Sequence, residues 1–180
     1  VAARLTAARL SAALMAALLV GTCAPTSGTL PTPPASIGPT RSVGPAVART
    51  REELVRALGT RNLVLRDTQA PFRPPEDARF TTAPRALFQV ILPTAPQEGY
   101  IVVYEFASPA AAGEAAAAQA AYLASGPARV QSPLGARHIL RLVGRTVVMY
   151  SWVPAGAEDP LQPDIQAALE TLGTGVPVPS

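Results

Sequence analysis

An α+β domain built on a mainly antiparallel sheet of four or five strands, with about three helices packed on it, is the fold this 180-residue sequence predicts. Three observations carry that prediction. Two pairs of segments rich in branched and aromatic residues, 86–92 with 100–106 and 137–143 with 146–153, are each joined by a stretch of turn formers and read as hairpins. An alanine-dominated run led by Ser108-Pro109 and two amphipathic stretches, at 50–59 and 165–172, read as helices. A single cysteine leaves no intrachain disulfide, so an apolar core must hold the fold.

The domain is expected to begin at Thr50 and run to Gly173. Thr50-Arg51-Glu52-Glu53 has the form of a capping box, in which hydroxyl and carboxylate each satisfy a free amide at a helix start. Leu54, Val55 and Leu58 then share one stripe, and Gly59 stops the helix. Asn62 to Arg66 reads as a short strand, and Gln69 to Asp77, with Pro71, Pro74 and Pro75, as a loop. Ala86 to Leu92 and Tyr100 to Phe106 form the first hairpin across Pro93, Pro96 and Gly99. Ser108 then supplies an N-cap, and Pro109 takes the first helical position, where its missing N–H costs nothing. That helix runs to about Ala124 and stops at Ser125-Gly126-Pro127.

Gly144-Arg145 suits a type II′ two-residue turn, which fixes the register of the second hairpin. Leu142 should face Val147, Leu140 Met149 and His138 Ser151, with Val143–Thr146, Arg141–Val148, Ile139–Tyr150 and Arg137–Trp152 on the other side. Ile165, Ala168, Leu169 and Leu172 mark a closing helix, with the helices expected on one face of the sheet. Residues 174–180 are expected to be a disordered tail.

The N-terminal segment speaks of location. Arg4 and Arg9 precede an uncharged apolar run from Leu10 to Val20, the form of a secretory signal. A membrane span needs about twenty apolar residues, and this run breaks at Gly21 and Thr22. Val20-Gly21-Thr22-Cys23 resembles the lipobox of bacterial lipoprotein signals, with Thr22 where that family usually has Gly or Ala. The resemblance covers residues 1–23. It implies removal of a signal peptide at 1–22, a diacylglyceryl group on Cys23, and an extracytoplasmic protein held by lipid in the cell membrane or outer membrane. An ordinary secretory signal with an incidental cysteine is the alternative. Residues 23–49, with Pro25, Pro31, Pro33, Pro34, Pro39 and Pro45 among Thr, Ser and Gly, are expected to be a disordered tether. The order of elements from Tyr100 to Gly173 is similar to small exported bacterial domains, which bears on fold and not on chemistry.

Composition narrows the partners. Every basic residue is Arg, and without residues 1–22 thirteen basic residues oppose twelve acidic ones. Arginines occur singly and are not interleaved with aromatics, so nucleic acid is not an expected partner. Glycines form no phosphate-binding loop or dinucleotide fingerprint, and no cofactor is expected. One histidine and a lipidated cysteine cannot make a zinc site. Glu76-Asp77 and Glu158-Asp159 lack calcium-loop spacing, so no metal is expected.

Two function classes remain. In the first, a non-catalytic lipoprotein binds an envelope protein or glycan. Its candidate face is Tyr100, Tyr104, Arg137, Arg141, Tyr150 and Trp152, an aromatic platform edged by arginines if the two hairpin sides coincide and the helices cover the other side. The alternative places these aromatics in the core, beneath the alanine helix, with Leu140, Leu142, Val147 and Met149 under the other two helices. In the second class, a small exported hydrolase uses His138 and Ser151. It would also need an orienting acid and an oxyanion hole, and no Gly-x-Ser-x-Gly turn is present.

Overall fold

A computed structural model describes residues 44–154 and 159–179. The signal-like segment, Cys23, the Pro-rich run before Gly44, and Glu158 lie outside these residues.

The first helix, α1, spans Pro45–Gly59. It begins before Thr50, so the capping-box expectation and the tether boundary at 49 are both corrected. The reason is tertiary. Gly44 is the N-cap, with Pro45 in the first turn, and its N–H donates to Glu105 Oε2 at 2.8 Å. A Cβ on Gly44 would meet that carboxylate, so a larger residue here would displace the Glu105 side chain from its bond to the helix start. Thr50 instead lies buried within the helix and shares a 2.7 Å hydrogen bond with the Thr146 hydroxyl.

The chain continues through β1 (Leu65–Asp67), α2 (Ala78–Thr82), β2 (Arg85–Val90), β3 (Tyr100–Glu105), α3 (Pro109–Leu123), α4 (Gly126–Gln131), β4 (Arg137–Val143), β5 (Thr146–Trp152), α5 (Gln162–Glu170) and β6 (Thr174–Val176). Ser108 caps α3 as its sequence implies, its hydroxyl accepting from the Ala111 N–H at 3.1 Å. Two short helices, α2 and α4, were not foreseen. Asp77 starts α2 by accepting from the Arg79 and Phe80 N–H groups, and Pro127 sits in the first turn of α4.

The architecture is α+β with one antiparallel sheet. It has six strands, ordered β1-β2-β3-β5-β4-β6, in place of four or five, and five helices among the described residues in place of about three. Both hairpins form, and β4 pairs with β5 in the register expected from the sequence, from Arg137 opposite Trp152 to Val143 opposite Thr146. Gly144 takes φ of 57°, while Arg145 has no positive φ, the pattern of a type II′ turn. The additional edge strand, β6, pairs with Leu140–Leu142 and corrects the expectation of a disordered tail from 174. Pro177 and Pro179 lack the N–H groups that would extend a ladder, which suits a short edge strand.

Helices cover both faces of the sheet, not one. On the first face α1 and α5 bring Leu54, Leu58, Ile165 and Leu169 against Val90, Ile101, Val103, Val148 and Tyr150. On the second, α3 brings Ala112, Ala115, Ala116 and Ala120 against Val102, Tyr104, Leu140, Val147 and Met149, with Phe80 of α2 closing the side. Alanine lets the helix axis approach the sheet, so the large side chains there come from the strands.

Candidate functional site

The six residues of the expected aromatic face do not form one surface. Ile101 pairs with Tyr150, which aligns Tyr150 with the odd-numbered residues of β3, whereas Tyr104 pairs with Val147 and faces the other way. Both tyrosines are buried, on opposite faces of the sheet. The alternative core reading also needs correction, because the alanine helix covers Leu140, Val147 and Met149, while Ile139, Tyr150 and Trp152 pack beneath α1 and α5.

Each member has its own surroundings. Tyr100 is half-buried and stacks on Phe72, with ring centroids 4.5 Å apart. The Tyr104 hydroxyl donates to Glu76 Oε1 at 2.7 Å, and burial, with the adjacent Glu76 charge, pushes its pKa far above the ordinary tyrosine range. Burial likewise pushes the Tyr150 hydroxyl up to about 12, and that hydroxyl has no hydrogen-bond partner of good geometry among the described residues. Arg141 is half-buried and donates to the carbonyls of Glu170, Leu172 and Gly173, at 2.7, 2.6 and 3.1 Å. It caps the C-terminal end of α5, where a cation complements the unpaired carbonyls, and its guanidinium is committed to that task.

Arg137 and Trp152, opposite each other at the open end of the β4–β5 hairpin, do meet in one place. Trp152 stacks on Tyr150, with centroids 5.5 Å apart and planes 14° from parallel, and is half-buried. Its remaining surface lines a cleft of about 830 Å³ that wraps the end of β4. Arg137 and His138 come from β4 itself. Arg129 reaches the cleft from α4, Gln166 and Glu170 from α5, and Leu134 from the connection before β4. Leu134 is 97% exposed and Val130 88% exposed, which puts unusually bare apolar side chains on this segment.

His138 and Ser151 also meet, with 2.8 Å between Nδ1 and Oγ. Burial lowers the histidine pKa, which favours the neutral ring, and the tautomer decides which of Nδ1 and Oγ is the donor. Among the described residues no carboxylate bonds to the other ring nitrogen. Glu170 lines the same cleft but belongs to a different helix and is exposed. The pair therefore lacks the orienting acid of a catalytic triad among these residues. No group of three or more His, Cys, Asp or Glu among the described residues is placed to hold a metal ion, and no helix among them is long and apolar enough to cross a membrane.

A second polar cluster escaped the sequence reading. Glu76, from the Pro-rich loop, is 9% exposed and accepts from Tyr104, from Arg85 Nη1 at 3.0 Å and from Arg73 Nε at 2.8 Å. Gln119 of α3 is fully buried beside it, donating to the Pro75 carbonyl and accepting from the Asp77 N–H, both at 2.8 Å. Together they fasten the loop over the alanine face. A glutamine alone among alanines was the available signal for Gln119, whereas Glu76 has no local pattern to mark it. Arg129, Gln166 and Glu170 were equally hidden, since they converge on the cleft from separate elements.

No protein-family model, curated protein or solved structure matches this chain.

Proposed function

We propose that the protein is a lipid-anchored bacterial envelope protein whose domain binds an envelope component through the cleft at the open end of β4 and β5. The observation that carries this reading is the convergence of Trp152, Arg137, Arg129 and the bare Leu134 on one concave surface. A concave site with an aromatic wall and a few polar groups is the usual form of a ligand site. Its location supports the same reading. The described chain begins at Gly44, beside the Gly144-Arg145 turn, where Glu105 binds both the Gly44 N–H and Arg145. The cleft opens at the opposite end of that hairpin, roughly 20 Å away for a seven-residue strand. The cleft thus lies away from the point where the described chain begins.

The test is photo-crosslinking of the intact protein in its native envelope from position 134 or 137, followed by identification of what is captured. A specific adduct that depends on Trp152 is expected; an adduct pattern equal to that from exposed Val64, far along the sheet, would remove the cleft from consideration. Mass spectrometry of the mature N-terminus, with Cys23→Ala as control, tests the anchor, and an unacylated protein starting elsewhere would overturn it.

A second reading, a small hydrolase, rests on the His138–Ser151 contact alone. It requires turnover of ester or peptide substrates that disappears in both His138→Ala and Ser151→Ala.

A further inference from the structure

We infer that the cleft takes a carboxylate-bearing saccharide, an inference that rests on the binding reading above and narrows its ligand. The first argument is charge. Arg51, Arg61, Arg73, Arg79, Arg85 and Arg145 each stand within ion-pair distance of a carboxylate, and Arg141 is spent on carbonyls. Arg49, Arg56, Arg66, Arg129 and Arg137 have no carboxylate partner among the described residues and are all exposed, but of these five Arg129 and Arg137 alone line this cleft, where Glu170 is the only described acidic side chain. Two free guanidinium groups around one concavity match a planar carboxylate, which arginine can hold with two parallel hydrogen bonds.

The second argument is the wall beside those charges. Trp152 faces Arg137 across the ladder, so indole and guanidinium stems start within about 5 Å of each other. An aromatic ring offers a flat apolar surface to the C–H face of a sugar ring, while the neighbouring Gln166 and His138 supply hydrogen-bonding groups for hydroxyls. Stacking of Trp152 on Tyr150 fixes the indole before any ligand arrives, which lowers the ordering cost of binding. A bare inorganic anion would use the arginines and leave the indole unused. An acidic sugar uses both.

Calorimetric titration of the full-length protein in detergent with an oligogalacturonate tetramer tests this, with a neutral cello-oligosaccharide of equal length and a glutamate-rich peptide as comparisons. The uronate should bind, more weakly as salt is raised, while Arg129→Gln and Arg137→Gln should each reduce affinity roughly tenfold. Both arginines are exposed, so these variants should fold normally, and Trp152→Phe should weaken the uronate while leaving the peptide unaffected. Equal binding of the neutral oligosaccharide, preference for the peptide, or no uronate binding overturns the inference. If Trp152-dependent crosslinking in the envelope persists while the uronate fails, only the ligand class falls. If crosslinking also fails, the binding reading falls with it.

Discussion

The two faces of the sheet solve the same packing problem in opposite ways. Beneath α1 and α5 the helices bring the bulk, with Leu54, Leu58, Ile165 and Leu169, and the central strands answer largely with branched residues such as Val103 and Val148. Beneath α3 the strands bring the bulk, with Tyr104, Met149 and Leu140, and the helix answers with alanine. The first face is closed mainly by hydrophobic volume, with the Thr50–Thr146 bond within it and polar contacts only at the helix ends, from Glu105 to the Gly44 N–H and from Arg141 to the carbonyls ending α5. The second needs more. An alanine helix is too slim to cover the whole face, so Phe80, Phe106 and the Pro-rich loop fill the side, and the loop is held by Glu76 and Gln119. One lesson is that an apolar helix can create a demand for buried polar fasteners by being narrow.

Four measurements would break or sharpen this contrast. The largest effect should come from Leu54→Ala, which empties volume on the helix side of the first face and should cost about 3 kcal/mol in denaturant unfolding. On the second face the costly change is the reverse one. Ala116→Leu inserts bulk where the helix lies closest and should cost about 2 kcal/mol, and a cost below about 0.5 kcal/mol would mean that α3 does not depend on close approach.

Glu76→Gln should cost about 1–2 kcal/mol, because an amide cannot accept from Tyr104, Arg85 and Arg73 together. The figure is kept small because the Arg73 and Arg85 side chains are 54% and 32% exposed and can be hydrated when the pair is lost. Increased proteolysis within 69–77, with little change in the β4–β5 hairpin, is the accompanying readout that would tie the loss to the loop.

The smallest effect concerns pH. Burial lowers the His138 pKa from 6.5, so the unfolded chain takes up this proton first. Its contribution to stability is complete above pH 6.5 and declines as pH falls below that value. Asp159 acts lower on the scale. Burial alone would raise its pKa, but bonds from the Leu161 and Thr94 N–H groups and the Thr94 hydroxyl outweigh burial and hold it below 3.8. That contribution is lost only as pH falls through the depressed value. His138→Gln should therefore flatten the decline just below pH 6.5 and leave the acid limb in place; an unchanged profile would remove His138 as its source.

Local pattern carried much of the fold because the relevant forces are local. A two-residue turn sets a register, so Gly144-Arg145 was enough to pair His138 with Ser151 and Arg137 with Trp152. Ser108-Pro109 was enough to start α3. The capping box at Thr50 misled for a related reason. Its hydroxyl does find a partner, but in Thr146 across the core, because a carboxylate from β3 had already satisfied the helix start at Gly44. Short α2 and α4 carry too few residues for periodicity to appear, and β6 is a strand only because β4 leaves it an edge to pair with.

The sequence by itself determined which side chains share a face within each hairpin, since alternation and turn length act over a few residues. Which hairpin faces coincide was decided only in the tertiary structure, by the pairing of β3 with β5, a contact between segments some forty residues apart that no local rule registers. That one pairing sends Tyr104 and Tyr150 to opposite faces and gives both a helical cover. It also leaves Trp152, with Arg137 beside it, at the sheet end, where side chains from α4 and α5 complete a cleft that no single segment encodes.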